Sequence, residues 1–343
     1  MANIDTMART AEALVAPGKG ILAADESTPT IAKRLASVGL ESTEPLRRAY
    51  RGLLFETEGL SRFISGAILF DETSRQRTDD GTPMADLLHR QGILPGIKVD
   101  AGTRPLAGFP EEEITEGLDG LRDRLAEYAA LGARFAKWRA VIRIGDGRPS
   151  ATCIEANAHA LARYAALAQE AGLTPIVEPE VLTDGSHDIE RCAEVTVALL
   201  RAVFVHLARH GVALEASLLK PSMVLSGREC SERADVDQVA SATLAVLRRT
   251  VPAAVPGIVF LSGGQSAEQA CTHLAAINRR GDQPWELSFS FGRALQAPVL
   301  HTWAGFESNR EAAQAALLRR AELTSAGRTG AYRPETERLV TTI

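Results

Sequence analysis

Eight short apolar runs recur along the 343-residue chain, and stretches with the periodicity of amphipathic helices fill most of the gaps between them. The runs cover residues 20–24, 64–70, 96–99, 135–138, 175–178, 214–219, 258–261 and 287–291. The clearest helical stretches cover residues 154–171, 189–209 and 237–249. Strands that alternate with helices form parallel sheets. Eight such units in one chain predict an α/β fold that closes as a single (β/α)8 TIM barrel.

The domain organisation follows from the same pattern. The chain has no internal repeat and no low-complexity linker, so residues 1–323 are predicted to form one barrel domain. Residues 324–343 are rich in Gly, Ser, Thr, Arg and Pro. We expect this last stretch to be a mobile C-terminal tail.

Composition excludes several classes of protein. The net charge of -5 argues against a general affinity for nucleic acid or for anionic membranes. The most apolar long window, residues 195–207, is interrupted by Arg201 and His206 and is too short to span a membrane. Four widely separated cysteines suit reduced thiols, and the first residues lack the pattern of an export signal. A cytoplasmic location is therefore expected.

Lys220 ends the sixth apolar run, in the sequence Leu218-Leu219-Lys220-Pro221. A buried lysine is costly unless it is paired or has a chemical role. Burial and neighbouring cations favour the neutral amine, which can attack a carbonyl carbon and form a Schiff base. The alternative is a lysine whose stem lies on apolar surface while its ammonium reaches water. The segment alone leaves both interpretations open.

Charged residues also follow most of the other predicted strands, at the end where barrel active sites lie. They are Asp25 and Glu26 after the first strand, Lys98 on the third, Lys137 and Arg139 on the fourth, and Glu178 and Glu180 on the fifth. Residues two apart on a strand share a face. Buried ion pairs seldom repay their desolvation, so a functional site explains this concentration of charge better than structural pairing does.

A phosphate site is predicted after the last two strands. The seventh run continues into Ser262-Gly263-Gly264, and the eighth into Gly292-Arg293. Glycine-rich backbone with free N–H groups after the seventh strand of a barrel can hold a phosphate, and Arg293 would complete the clamp. The simpler alternative for the glycine pair is a tight turn.

The histidines do not indicate a metal. His206 and His210 share a helix face at a two-ligand spacing, but the sequence offers no evident third ligand, so both are expected to be surface residues. No G-x-S-x-G elbow and no evident Ser-His-Asp arrangement is present. We expect neither a metal nor a cofactor.

Seven motifs, in order along residues 5–332, resemble those of class I fructose-bisphosphate aldolases. They are Leu22-Ala23-Ala24-Asp25-Glu26-Ser27, Pro95-Gly96-Ile97-Lys98-Val99-Asp100, Ala136-Lys137-Trp138-Arg139, Val177-Glu178-Pro179-Glu180, Leu218-Leu219-Lys220-Pro221, Leu261-Ser262-Gly263-Gly264-Gln265 and Phe291-Gly292-Arg293-Ala294-Leu295-Gln296. The resemblance implies a TIM barrel, usually a homotetramer, with no metal requirement. It implies reversible cleavage of fructose 1,6-bisphosphate, a phosphorylated sugar, into dihydroxyacetone phosphate and glyceraldehyde 3-phosphate, in glycolysis and gluconeogenesis.

The resemblance also implies roles for individual residues. It makes Lys220 the Schiff-base lysine, Glu178 the acid/base of carbinolamine dehydration and Asp25 the base for the C4 hydroxyl proton. Lys137 is implied as the cation beside the nucleophile. Supporting charges and substrate binders are implied at Lys98, Arg139, Glu180, Ser262, Gly263 and Arg293. Ser27, Thr30, Lys33 and Arg34 fall where the family has residues near the phosphates.

Two departures from the family and three alternatives remain. Ala101-Gly102 follows Asp100 where the family often has Lys-Gly, and the chain lacks the terminal tyrosine of the better-known animal members, with Tyr332 its only tail tyrosine. One alternative is a Schiff-base aldolase for another phosphorylated ketose. The others are a zinc-dependent aldolase, which the missing histidines disfavour, and a non-catalytic binding protein, which would not require a nucleophile.

Overall fold

The computed structural model describes residues 4–337. Ten strands are present in this part of the chain: β1 (Gly20–Ala24), β2 (Ile64–Leu69), β3 (Leu94–Lys98), β4 (Thr103–Pro105), β5 (Glu113–Thr115), β6 (Phe135–Ile142), β7 (Thr174–Val181), β8 (Leu218–Leu219), β9 (Gly257–Phe260) and β10 (Glu286–Phe291). The helices are α1 (Ile4–Leu14), α2 (Thr28–Ala36), α3 (Glu44–Phe55), α4 (Asp71–Arg75), α5 (Met84–Arg90), α6 (Leu121–Ala130), α7 (Ala151–Glu170), α8 (Ile189–Arg209), α9 (Val236–Thr250), α10 (Ala267–Asn278), α11 (Arg293–Trp303) and α12 (Arg310–Arg328).

Eight of the strands close into a parallel barrel in the order β1-β10-β9-β8-β7-β6-β3-β2. The longest pairing joins β6 and β7 over eight residues, and the pairing of β1 with β10 closes the circle. The predicted (β/α)8 barrel is therefore confirmed. Strands β4 and β5 form a separate antiparallel pair, which the sequence did not predict.

The barrel interior is filled at the end where the strands begin. Phe135 occupies space that Gly66 and Gly96 leave open, because a Cβ on either glycine would contact its ring closely. Helix α1 covers this end, with Leu14 in the inner apolar cluster and the carbonyl of Met7 accepting a hydrogen bond from Thr174 at 2.9 Å. The packed floor leaves the opposite end, where the strands finish, available for a site.

The sixth barrel strand is shorter than predicted. Leu214–Ala216 forms a 3-10 turn, and only Leu218–Leu219 pairs as a strand. The side chain of Gln169 explains the difference, because it donates to the carbonyl of Ala213 at 2.8 Å and accepts from the Ala213 N–H at 3.0 Å. These bonds from α7 satisfy backbone groups that a longer strand would have paired.

The C-terminal segment also differs from the predicted tail. The expected boundary at residue 324 falls inside α12, and Tyr332 is buried. The small residues that suggested mobility instead allow close packing: Ser325 donates to the carbonyl of Gly18 at 2.6 Å, and a Cβ on Gly327 would lie 3.1 Å from the carbonyl oxygen of Cys271. Residues 338–343 of the predicted tail lie outside the described residues.

Between residues 4 and 337, no helix combines the length with the apolar character that crossing a membrane requires.

Candidate active site

An open cavity of about 1350 Å³ lies where the barrel strands end. The twelve residues predicted for the site all line it: Asp25, Ser27, Arg34, Lys98, Lys137, Arg139, Glu178, Glu180, Lys220, Ser262, Gly263 and Arg293. Thr30 and Lys33 line it as well. The sequence motifs therefore lie together at one site, because the strands of a closed parallel barrel all finish at the same end.

Lys220 lies directly after β8 and is only 4% exposed. Its backbone N–H donates to the carbonyl of Val177 at 2.8 Å, which continues the barrel pairing by one residue. The Nζ atom lies 3.1 Å from Oε1 of Glu178. Of the two interpretations that the sequence left open, the structure favours the enclosed lysine, because the amine is paired inside the cavity rather than extended into water.

Lys137, on β6, is the centre of the charged cluster. Its Nζ lies 2.7 Å from Oδ2 of Asp25, 3.3 Å from Oε2 of Glu178 and 4.0 Å from Oδ2 of Asp100. Burial lowers the pKa of the Lys137 ammonium, but the carboxylates of Asp25, Glu178 and Asp100 outweigh burial and raise that pKa above its ordinary value. Lys137 therefore stays charged.

Asp25 follows β1 and shows the complementary effect. Burial raises the pKa of its carboxyl group, but the ammonium groups of Lys137 and then Lys220 outweigh burial and hold that pKa well below its ordinary value. Asp25 is therefore a carboxylate at neutral pH. Each lysine of the cluster thus faces at least one carboxylate, which limits the cost of burying these charges together.

Two further ion pairs line the same cavity. Nε of Arg139 lies 2.5 Å from Oε2 of Glu180, and Nζ of Lys98 lies 2.5 Å from Oδ1 of Asp100. Burial lowers the pKa of Arg139, but the Glu180 carboxylate outweighs it, so the guanidinium remains charged. These pairs hold two cations at the cavity wall.

The loop after β9 has the shape that the glycine pair predicted. Gly264 has a φ of +79°, and a Cβ there would collide with the side chain of Thr183. The loop leads to Ser266, which caps the first turn of α10. Arg293 begins α11 and is exposed, while Arg34 comes within 3.8 Å of the position of a Cβ on Gly292. The two arginines therefore flank the same end of the cavity.

Several polar groups of the site were not assigned a role from the sequence. The Glu26 carboxylate accepts hydrogen bonds from Arg34 and, at 2.8 Å, from the side-chain amide of Gln296, and it forms an ion pair with Arg51 at 2.5 Å. The Ser290 hydroxyl is buried at the cavity, with no hydrogen-bond partner among the described residues. Of these groups, Asp100 was the one that the sequence could best have indicated as a site residue, because it lies two residues after Lys98. Gln296 ends the seventh motif, but its contact with Glu26 could not be predicted, because the two residues are 270 positions apart in the chain.

The carboxylates of the cavity are paired with cations rather than arranged around a metal position. Histidines are absent from its lining within residues 4–337. Across the same residues, groups of three or more His, Cys, Asp or Glu side chains with metal-binding geometry are also absent. The chemistry that the arrangement supports uses an amine, carboxylates and fixed cations.

The fold and the site together define a (β/α)8-barrel enzyme with a buried lysine–carboxylate cluster. The family model described as Fructose-bisphosphate aldolase class-I matches residues 6–342. The chain belongs to the class I fructose-bisphosphate aldolase family.

Relatives and a solved structure agree with this assignment. The chain is 62% identical over 302 residues to a probable fructose-bisphosphate aldolase class 1 of Xanthomonas axonopodis, a match that covers 88% of this chain and 90% of the relative. It is 56% identical to the cytosolic fructose-bisphosphate aldolase 6 of Arabidopsis thaliana, over 92% of this chain and 88% of the relative. The fold is similar, with a TM-score of 0.95 and 52% identity, to Plasmodium falciparum fructose-bisphosphate aldolase, solved in complex with TRAP and a small-molecule inhibitor. That match covers 96% of each chain.

Proposed function

We propose that this chain, a lyase of the aldolase family, cleaves fructose 1,6-bisphosphate reversibly through a Schiff base on Lys220. The products are dihydroxyacetone phosphate and glyceraldehyde 3-phosphate. Family membership supports the reaction. The observation that carries the mechanism is the buried Lys220 Nζ, 3.1 Å from one Glu178 oxygen, with Lys137 3.3 Å from the other.

Formation of the Schiff base begins with attack of the Lys220 amine on the C2 carbonyl of the sugar. The resulting carbinolamine must lose its hydroxyl group as water, which requires a proton on the departing oxygen. Glu178 is the nearest carboxylate to Lys220 and is proposed as the group that carries this proton. Lys137 holds the other oxygen of the same carboxylate at 3.3 Å, which fixes Glu178 beside the nucleophile.

Cleavage then uses the iminium as an electron sink. Asp25 takes the proton from the C4 hydroxyl, the C3–C4 bond breaks, and its electron pair moves into the iminium to form an enamine. Glyceraldehyde 3-phosphate leaves with the new aldehyde at its first carbon. Because the pKa of Asp25 is depressed, the group is unprotonated before the reaction starts, which a general base requires.

Two groups of cations and hydroxyls suit the two phosphates. Ser262, Gly263 and Arg293 are proposed to bind one, with Arg34 beside them. Lys98 and Arg139 are proposed to support the substrate farther along the cavity. The hydroxyl oxygens of Ser27 and Thr30 lie 3.1 Å apart at the start of α2, where hydroxyl donors and the positive end of the helix dipole favour an anion.

A homotetramer in the cytoplasm is proposed on the family resemblance. The names of two Arabidopsis relatives, both described as cytosolic, support the location. Light scattering coupled to size exclusion tests the assembly, and a monomeric mass at micromolar concentration would exclude the tetramer.

Borohydride trapping tests the mechanism. With dihydroxyacetone phosphate present, the reagent reduces the iminium to a stable secondary amine and should add one triose unit to each chain at Lys220. Inactivation should accompany the label, and the control without the triose should keep its activity. A label confined to Lys98 or Lys137 would exclude Lys220 as the nucleophile. Comparing turnover of fructose 1,6-bisphosphate with fructose 1-phosphate tests the alternative of another phosphorylated ketose.

A further inference from the structure

Gln265 ends the sixth motif, but the proposed reaction gives it no role. Its backbone N–H donates to the carbonyl of Ser262 at 3.2 Å, which closes the loop after β9 as a turn. Ser262, Gly263 and Gly264 line the cavity, whereas Gln265 is 6% exposed and lies outside the cavity lining. The loop therefore presents three residues to the cavity and places the fourth side chain in the protein interior.

A buried histidine holds the side chain of Gln265. Nδ1 of His273, eight residues later in α10, lies 2.6 Å from Oε1 of Gln265. An amide oxygen only accepts hydrogen bonds, so Nδ1 carries a proton and donates it. Burial, and after it the guanidinium of Arg233, lowers the pKa of His273 to about 4. The ring is therefore neutral at physiological pH, and its single N–H is the one that Gln265 accepts.

The Gln265 amide also reaches the segment that carries the nucleophile. Its Nε2 lies 3.8 Å from Sδ of Met223, three residues after Lys220. Beside it, the N–H of Leu261 donates to the carbonyl of Pro221 at 3.1 Å. In the substrate, the carbon that carries one phosphate, C1, is bonded to the C2 carbon that Lys220 attacks. The loop beside the Lys220 segment therefore suits the C1 phosphate, and its placement affects how C2 meets the amine.

The start of α10 is fixed by other hydrogen bonds. The Ser266 hydroxyl accepts from the N–H of Gln269 at 3.1 Å, and the Gln269 side chain accepts from the N–H of Ser266 at 3.0 Å. This capping box satisfies the first turn of the helix. The bond from His273 to Gln265 instead holds the residue before the cap, and with it the end of the loop.

We propose that His273 is a positioning residue, which holds Gln265 so that the Ser262 hydroxyl and the loop N–H groups are directed at the C1 phosphate of the substrate. This rests on the proposed function, in which the loop binds one phosphate. His273 and Gln265 both lie outside the cavity lining. They therefore act through the loop rather than on the reacting atoms.

His273→Leu tests this role, because leucine is apolar and donates no hydrogen bond to Gln265. The concentration of dihydroxyacetone phosphate that gives half-maximal borohydride labelling should rise about tenfold, because a buried hydrogen bond is lost and its acceptor is left unpaired. The KM for fructose 1,6-bisphosphate should rise in parallel, while kcat stays near that of the unmodified chain. Labelling with dihydroxyacetone, which lacks the phosphate, should keep its rate.

Two further variants separate positioning from a general loss of stability. His273→Asn keeps an N–H donor near the position of Nδ1 and should return both concentrations to within about threefold of the unmodified chain. Asn278→Leu is the matched control, because Asn278 is half-buried at the end of the same helix and donates to the carbonyls of Leu274 at 3.0 Å and Leu287 at 3.3 Å. It should lower the melting temperature and leave labelling and KM unchanged.

Three results would overturn the positioning role. They are unchanged labelling and KM in His273→Leu, an equal loss of labelling with dihydroxyacetone, and a His273→Asn variant as impaired as His273→Leu. If His273→Leu does not fold, Gln265→Leu removes the same bond from the other side and is judged by the same comparisons. Failure of the proposed function is distinguishable, because it would appear in the unmodified chain as absence of cleavage and of the label on Lys220.

Discussion

At the scale of single residues, the cavity is a chain of alternating charges. Lys220 contacts Glu178, Glu178 contacts Lys137, and Lys137 contacts Asp25. Removing one member leaves a partner charged and buried, which is more costly than the loss of the contact itself. Substitutions here must therefore keep size and polarity if their kinetic effects are to be interpreted.

Glu178→Gln is such a substitution, because the amide keeps the shape of the side chain but cannot carry the proton. Dehydration of the carbinolamine should slow by about 10²-fold or more, from the typical contribution of a positioned acid or base. Single-turnover kinetics with borohydride quenching at successive times would measure the rate of iminium formation. Turnover near that of the unmodified enzyme would assign the proton transfer to another group.

The depressed pKa of Asp25 predicts that the stability of the fold depends on pH. Its folded pKa is depressed, so it stabilises the fold above the ordinary value of 3.8, and this contribution is lost as the pH falls toward the folded value. The difference in unfolding free energy between the unmodified chain and Asp25→Asn should therefore be constant from about pH 5 to 8. Urea denaturation across that range would measure it. A difference that changes near neutral pH would contradict the depressed pKa.

At the scale of elements, local signals determined what the sequence could predict. Helix α8 was predicted at its observed bounds from the apolar stripe that runs along it, and in the structure Asp188 caps it through a 2.7 Å bond to the N–H of Arg191. The shortness of β8 was not predicted, because Gln169, which precedes Ala213 by 44 residues, forms the hydrogen bonds to the Ala213 backbone. Local patterns carry no information about such contacts.

The loop between β9 and α10 gives an element-scale prediction. Gly264→Ala places a Cβ in left-handed backbone, which costs about 1–2 kcal/mol, and also into Thr183. The loop should shift, and the KM for fructose 1,6-bisphosphate should rise about tenfold through weaker phosphate binding.

Gly281→Ala is the matched control for that experiment. Gly281 has a φ of +83° with nothing within 4 Å of a Cβ, and it lies outside the cavity. It should show the backbone strain as a lower melting temperature but leave the KM unchanged. Equal KM values for the two variants would mean that the loop does not bind phosphate.

At the scale of the whole molecule, the sequence predicted the barrel and the assembly of its site more completely than the end of the chain. Eight strand ends had to meet once the barrel closed, so the motifs could be brought together without knowledge of any contact. The C-terminal segment has no such constraint. Its composition suggested solvent exposure, whereas Arg320 pairs with Glu337 at 2.6 Å and Arg328 donates to the carbonyls of Leu287 and Val15.

Tyr332 is therefore expected to contribute to stability rather than to proton transfer. It is 1% exposed, lies outside the cavity lining and donates to Glu337 at 2.8 Å. Burial and the Glu337 carboxylate raise the pKa of its phenol, which makes it a poor proton donor. Tyr332→Phe should lower the melting temperature by a few degrees, from the loss of about 1 kcal/mol, and should change turnover less than tenfold.

Deleting residues 325–343 should have a larger effect on stability, because it removes Arg328 and the partner of Arg320. Exchange of the C3 proton of dihydroxyacetone phosphate, measured together with thermal unfolding, separates the two roles. We expect a larger loss of stability than of exchange rate, since the lost contacts of Arg328 tie α12 to β10 and to the end of α1, outside the cavity. A hundredfold loss of exchange in Tyr332→Phe with unchanged melting would instead make this tyrosine part of the catalytic site.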